Sequence, residues 1–576
     1  MYVEKFRNSF AVDLLELTGL VKLPHNFQEQ QAGAKTDDVD GLAAVELAEE
    51  GRAKPHEDSN GELPGDVVQD VDTDTASATG SGSASASVDL EKNDAEKASN
   101  QTSDRDVDPF LVGWNGADDP ENPMNWSKGK KGLVVFQIML LTCVTYMGAS
   151  IYTPGQEQIQ HDFHVGHVVG TLNLSMYVLG YGLGPMIFSP LSEVAIIGRQ
   201  QIYIFTLLAF MIFQVGAATV NNIGGLVVIR FISGILCSPS LATGAASLGD
   251  FVDPQIVPVF VGLWAIGAVA APVLAPLLGA AMVVAKGWRF IFWLLMWLCA
   301  ATSIVLIFFF PETQHENILY RRARRLRKAT GDARYYTKQE RADSHIEFKD
   351  ILLDTFYRPL KIMALEPAVL AFDIYIALCY GAFYLFFEAF PLVFIGIYHF
   401  TLVEMGLAYM GFCVGCVIAY ISLLVFLAKV IAPKFKNNTF TPEAFLLLAM
   451  YVCWALPLSL FLFGWAAGVH WILPIIAEVF FVLNVFNLFQ ASFAYLAISY
   501  PRYLASVFAG NGFARAGFAC AFPLFGQAMY KNLGSEKYPV GWGSSLVGFF
   551  CIALAAIPFV LYRIGPKLRG RSQYAN

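Results

Sequence analysis

WRFIFWLLMWLCAATSIVLIFFFPETQHENILYRRARRLRK, residues 288–328, decides how the rest of the chain is read. Its first part, 288–310, is apolar apart from Arg289. A helix of about 20 such residues crosses the roughly 30 Å hydrocarbon core of a bilayer. Its end, RRARRLRK at 321–328, is a cluster of bases of the kind retained on the cytosolic face. Working outward, similar apolar blocks recur near 132–152, 168–190, 201–220, 223–248 and 257–284 on one side. On the other side they recur near 367–394, 405–431, 444–466, 471–498, 505–530 and 542–562. The 576 residues are 55% hydrophobic and 15% charged, where soluble domains carry about 25% charge. The expected fold is an all-α polytopic membrane protein with twelve transmembrane helices in two six-helix bundles.

The charge pattern divides the chain. Residues 1–127 read as a cytosolic, largely disordered tail, 128–310 as the N-terminal bundle and 311–361 as a cytosolic linker. Residues 362–562 read as the C-terminal bundle and 563–576 as a cytosolic tail. The net charge of −8 comes mainly from tail clusters such as DDVD at 37–40. Residues 70–105, rich in Ser, Ala, Asp and Thr, cannot bury enough apolar surface to fold. Phe10–Leu20 reads as a loosely ordered tail end, with a short amphipathic helix as the alternative. Arg199, Lys429, Lys434, Lys436, Arg502, Arg563, Lys567, Arg569 and Arg571 all fall on one side if twelve spans are correct, which places both termini in the cytosol. Sequence identity alone reveals no internal repeat.

Soluble chemistry is absent. The chain has no GxxxxGK[ST] phosphate loop, no HExxH, no dinucleotide fingerprint and no convincing Ser-His-Asp set. No enzyme, catalytic residue, cofactor or nucleic-acid partner is therefore expected. The nine cysteines lie in apolar blocks, where cysteine packs as a small hydrophobe. His161, His164 and His167 read as part of a solvated loop, since no acid or cysteine completes a metal set.

Charges inside the spans carry the chemistry. An ionised group at the bilayer centre costs roughly 2.5–3.5 kcal/mol or more, so each needs a partner or a wet cavity. Arg230 falls in the fourth span, Asp373 and Glu388 in the seventh, Glu478 in the tenth and Arg515 in the eleventh. The fixed charge of Arg230 suits proton coupling, by favouring ionisation of a nearby carboxylate or repelling a proton. A snorkelling, helix-packing arginine is the alternative. Glu388 and Glu478 are proton-coupling candidates beside it, and Asp373 and Arg515 read as structural. In GLWAIGAVAAPVLAPLLGA (262–280), Gly267, Pro272, Pro276 and Gly279 suit a bent, closely packed helix that seals a bundle interface. Tyr177, Tyr181, Phe383, Tyr384, Phe387 and Asn487 are candidates to line a substrate pocket.

These residues resemble the major facilitator superfamily, and within it the fungal 12-span drug:proton antiporters. GYGLGPMIFSPLSEVAIIGR (180–199) is similar to the loop signature between spans two and three, at Gly184, Pro185, Pro190, Ser192, Glu193, Gly198 and Arg199. The resemblance implies that Glu193 and Arg199 belong to a charge-assisted latch stabilising an outward-facing state. Its spacer is two residues longer than the commoner form, as in exporters conferring azole, benomyl and methotrexate resistance. Arg230 and Gly234 match a span-four motif whose arginine is implicated in proton transfer. Gly267, Pro272 and Pro276 match the antiporter motif, although Ala271 and Ala275 stand where glycine is usual. GWNGADDPENPMNWS (113–127), PET (311–313), YLFFEAFP (384–391) and the closing GPKLRGRSQYAN also agree.

The resemblance implies a monomeric, multi-pass plasma-membrane protein that exports small, mostly apolar xenobiotics by alternating access. The proton gradient would be its energy source, with drugs, protons and the lipid bilayer as partners. A proton-coupled or facilitative importer of a small nutrient, and a membrane transceptor or scaffold, are the alternative readings.

Overall fold

The computed structural model describes residues 9–17, 108–254, 256–343 and 348–575, so the segment expected to be disordered, 70–105, lies outside the described residues. Two compact units form. Among the described residues, one comprises 9–17, 116–254, 256–320, 339–343 and 348–575, the other 108–115 and 321–338.

The larger unit holds the membrane helices. The first six are α1 (Lys128–Ser150), α2 (His167–Glu193), α3 (Gly198–Thr219), α4 (Ile223–Gly249), α5 (Val257–Lys286) and α6 (Arg289–Phe309). The second six are α7 (Pro367–Phe390), α8 (Leu402–Lys436), α9 (Pro442–Ala466), α10 (Ile472–Ser499), α11 (Leu504–Leu533) and α12 (Gly541–Arg569). Among the described residues, eleven of these segments have both the length and the apolarity to cross a membrane. The exception is α11. Its 30 residues are long enough, but Asn511, Arg515, four glycines and Lys531 dilute its apolarity. It joins the halves, lying against α7 of its own bundle and α2 of the other.

Helix ends follow local chemistry. Ser127 caps α1, accepting from the Lys130 amide, and Asn222 caps α4 in the same way. Thr401 and Glu404 form a reciprocal capping box that starts α8 at Leu402. At the other end of the chain order, Phe10–Leu17 is helical, and Phe10 meets Phe205 of α3 edge to face.

The packing reveals a repeat hidden in the sequence. In the first half α1 pairs with α5, α2 with α4, and α3 with α6. In the second half α7 pairs with α11, α8 with α10, and α9 with α12, which is the same pattern six helices later. The halves meet through α2 against α11 and α5 against α8, and these contacts are also interchanged by a shift of six. Two bundles related in this way are suited to rock against each other around a central site.

The smaller unit is built around the basic cluster. The Arg322 guanidinium donates to the Gly113 carbonyl at 2.9 Å and lies over Trp114, and Arg327 donates to the Tyr335 carbonyl. Val112, Ala323 and Leu326 form its small core. Gly113 and Trp114, which open the pre-membrane motif, are thus partners of a linker arginine.

Candidate functional site

Close helix contact builds the first half of the site. A Cβ on Gly234 would lie 2.1 Å from the Tyr177 carbonyl oxygen, and one on Gly180 2.3 Å from that of Phe231, so α2 and α4 touch backbone to backbone. This contact brings Arg230 of α4, fully buried, against the carbonyls of neighbouring helices. Its Nη1 donates to Gly148 O at 2.6 Å and its Nη2 to Ala149 O at 3.1 Å, both on α1. Its Nε donates to Asn173 O of α2 at 3.3 Å. The guanidinium lies 4.4 Å from the Tyr177 ring and 5.5 Å from that of Tyr152. No carboxylate among the described residues pairs with it. Arg230 therefore ties three helices together, and its charge is spread over carbonyl dipoles.

Tyr177 belongs to this support. Its hydroxyl donates to the Thr145 carbonyl at 2.7 Å and its ring lies under Arg230. Tyr181, one turn along, points across the bundle interface. Its hydroxyl meets those of Tyr380 at 3.1 Å and Tyr384 at 3.2 Å on α7. Tyr146 packs edge to face on Tyr181. Arg515 of α11 covers Tyr380 at 5.1 Å and Phe489 at 5.6 Å, and its Nε is buried without a hydrogen-bond partner. The neighbouring Asp373 accepts from Asn511, one turn before Arg515, at 2.8 Å. Phe383 and Phe387 lie beside Tyr384 and run into the aromatic core of the second bundle, against Phe412 and Tyr409 respectively. Asn487 is not brought to this cluster, since its amide donates to Ser422 Oγ of α8 and to Leu483 O.

Glu478 stands apart. It is fully buried against Gly411 of α8, and neither carboxylate oxygen is hydrogen-bonded. Glu388 has company at the end of α7. His167 Nε2 lies 3.2 Å from its Oε2, and the Thr171 hydroxyl donates to its Oε1 at 3.3 Å.

In α5 the two prolines leave carbonyls without intrahelical donors. Pro276 has no N–H for the Pro272 carbonyl, and the Ser150 hydroxyl of α1 donates to that oxygen instead, at 2.7 Å. Ala271 and Ala275 are fully buried, so the methyls that replace glycine are accommodated. The nearest atoms to a Cβ on Gly267 are 3.6 Å away, an ordinary contact.

The loop 194–199 closes the end of the first bundle nearest the termini. Gly198 turns there at φ +73°, in the left-handed region that a side chain resists. The ion pair formed is Arg199 Nη2 with Asp250 Oδ1 at 3.1 Å, whereas Glu193 contributes its main-chain carbonyl to Gln314. Glu312, of the PET tripeptide, accepts the backbone amides of Arg199 and Gln200, each at 3.2 Å, at the N-terminus of α3. It also accepts those of Thr313 and Gln314. A carboxylate there satisfies orphan amides and suits the helix dipole. Burial pushes the Asp250 carboxyl up to about 7, Arg199 pulls it down, and the nearby Glu312 and Glu316 push it up.

Sequence reasoning placed His167 in a solvated loop, whereas it begins α2 and is largely buried against Glu388, and it passed over Asp250, Tyr380 and the anchoring role of Glu312. Only the PET tripeptide offered a local signal. The other contacts join residues far apart in the chain.

Residues 138–523 match the family model for the Major Facilitator Superfamily. The chain is 62% identical to fluconazole resistance protein 1 of Saccharomyces cerevisiae, covering 100% of both chains. It is 56% identical to a multidrug transporter of Candida glabrata, again over 100% of both. A cycloheximide resistance protein of Candida maltosa is 44% identical over 81% of this chain and 86% of its own.

Proposed function

The chain belongs to the Major Facilitator Superfamily, and from that premise we propose that it is a proton-coupled multidrug exporter working by alternating access. The observation that carries the reading is the tyrosine cluster between the bundles. Tyr181 of one half bonds Tyr380 and Tyr384 of the other, with Arg515 over Tyr380. Such a site must come apart when the halves rock, and a small aromatic or apolar guest can then fill the space between the parted rings. Apolar and aromatic walls discriminate only modestly between similar shapes, which suits a broad substrate range. The names of the relatives, resistance to fluconazole and cycloheximide among them, support azoles and other small xenobiotics as cargo.

Proton coupling rests on Glu388 and Glu478. Glu478 is fully buried and has no ion-pair partner among the described residues, which suits a coupling carboxyl whose surroundings change as the halves rock. Arg230 acts by holding α1, α2 and α4 as one rigid body. Arg199 with Asp250, and Glu312 beneath them, form the latch to which Glu193 lends its carbonyl. The Pro272–Pro276 segment of α5, bonded to α1 through Ser150, seals the first bundle. The basic links support cytosolic termini, with 1–127, 311–361 and 563–576 on that side of the plasma membrane, and a monomer is sufficient for the cycle. Efflux of an accumulated fluorescent azole from whole cells, with and without a protonophore, tests the reading. Efflux that stops on collapse of the gradient is expected, and efflux at an unchanged rate refutes the coupling.

A further inference from the structure

Among the described residues, the interface at the end of the bundles remote from the termini holds an ionisable bridge between the halves. His167 begins α2 in the first bundle and Glu388 lies in the last turn of α7 in the second. Their 3.2 Å contact joins a side chain 29% exposed to one only 5% exposed, so the histidine is the more accessible partner of the pair. Each ring nitrogen faces an oxygen acceptor, and Nε2 also lies 3.4 Å from the Gln156 amide nitrogen, a donor that a neutral ring can accept from and an imidazolium cannot. Nε2 faces Glu388 Oε2, and Nδ1 lies 3.4 Å from Thr171 Oγ1. The Thr171 hydroxyl donates a hydrogen bond to Glu388 Oε1 and accepts one from Gln156 Nε2 at 2.9 Å. A neutral imidazole carries a single N–H and leaves one of these contacts unmade.

The surroundings hold few rivals for the proton. The titratable side chains around Glu388 are Tyr152, which follows α1, Tyr409 in α8 and Tyr530 in α11. Glu157, His161 and Asp162, on the helix Gln156–Phe163 packed against the start of α2, are exposed, and His161 is 3.8 Å from Asp162. Arg230 reaches this site only through Tyr152.

We infer that His167 and Glu388 form a proton-binding site shared by the two bundles, whose protonation holds their outer ends together. Resting on the exporter reading, this names the residues that couple the outer proton to closure. One proton from water adds to the imidazole and makes the contact a charge-assisted bond, and its loss returns a neutral ring and a weaker bridge. Proton occupancy thereby favours the state closed at the outer ends, and proton loss favours opening outward.

The test is hydrogen exchange on the full-length protein in nanodiscs, followed in the segments 167–173 and 384–392 and expressed as protection corrected for the intrinsic rate. Wild type should lose about tenfold or more in protection there between about pH 5.5 and 8.5. His167→Gln and Glu388→Gln should show low protection at both values. His167→Lys, with a charge that does not titrate in this range, should stay protected at both. Melting curves establish that each variant is folded, and a variant that fails to fold leaves the comparison to the other two. No pH response in wild type, or an unchanged response in His167→Gln, overturns the inference. Because this readout involves no drug or gradient, its failure leaves the exporter reading to the efflux assay, and loss of that reading leaves the switch standing.

Discussion

Replacing Arg230 by lysine keeps the buried charge and removes the fork that carries it. In the wild type, three nitrogens reach three carbonyls on two neighbouring helices, at 2.6, 3.1 and 3.3 Å. A lysine ammonium is a single point and can satisfy one of these carbonyls well. Each bond to a charged group contributes about 1.5–3 kcal/mol, so losing two costs about 3–6 kcal/mol before relaxation. Weaker stacking on Tyr177, at 4.4 Å, adds to the loss in the same direction. The variant should therefore unfold far more readily in detergent, by about two orders of magnitude or more in the unfolding constant. Transport should fall with it. Denaturant unfolding of purified protein, paired with transport in vesicles at equal protein amounts, measures both. Were Arg230 a pure point charge for proton repulsion, lysine would preserve both quantities, and a wild-type result on both refutes the tie between α1, α2 and α4.

Other outcomes follow from the same geometry. Arg230→Ala, which loses all three bonds, should abolish efflux and reach the surface in smaller amount than Arg230→Lys, as read by surface labelling beside dye efflux. Gly234→Ala places a methyl against the Tyr177 carbonyl, where its Cβ would lie 2.1 Å away, and should lower stability by about 1–3 kcal/mol in denaturant unfolding. Because the folded Asp250 carboxyl sits at about 7, above its ordinary 3.8, its contribution to stability is full below the lower value and lost as pH rises through the higher. Asp250→Asn should therefore flatten the fall in melting temperature between those values. Glu312→Ala removes the acceptor of four backbone amides and should destabilise the protein by about 2 kcal/mol or more, whereas Glu193→Ala, which keeps the main-chain carbonyl, should cost much less.

The spans were legible because the bilayer imposes a length and an apolarity on every helix that faces it. That rule weakens for α11, where Asn511 bonds Asp373 of α7 and Arg515 covers rings of α7 and α10. The prolines of α5 were readable as freed carbonyls, but the hydroxyl that answers one of them, Ser150, lies 122 positions away. The charges of the first bundle were equally visible, yet their partners were not. Arg230 could be counted as buried, and nothing local said that carbonyls would hold it. Thr171 and Glu388 lie 217 positions apart, and only the docking of two bundles brings them together. His161, His164 and His167 look alike in sequence, and the start of α2 alone turns the last of them toward α7.

The most direct measurement is drug uptake into inside-out vesicles carrying the full-length protein, with an imposed proton gradient, acid inside. The account predicts uptake that needs the gradient, stops with a protonophore and is lost in the doubly substituted Glu388→Gln, Glu478→Gln protein. Uptake that proceeds equally with and without the gradient contradicts it.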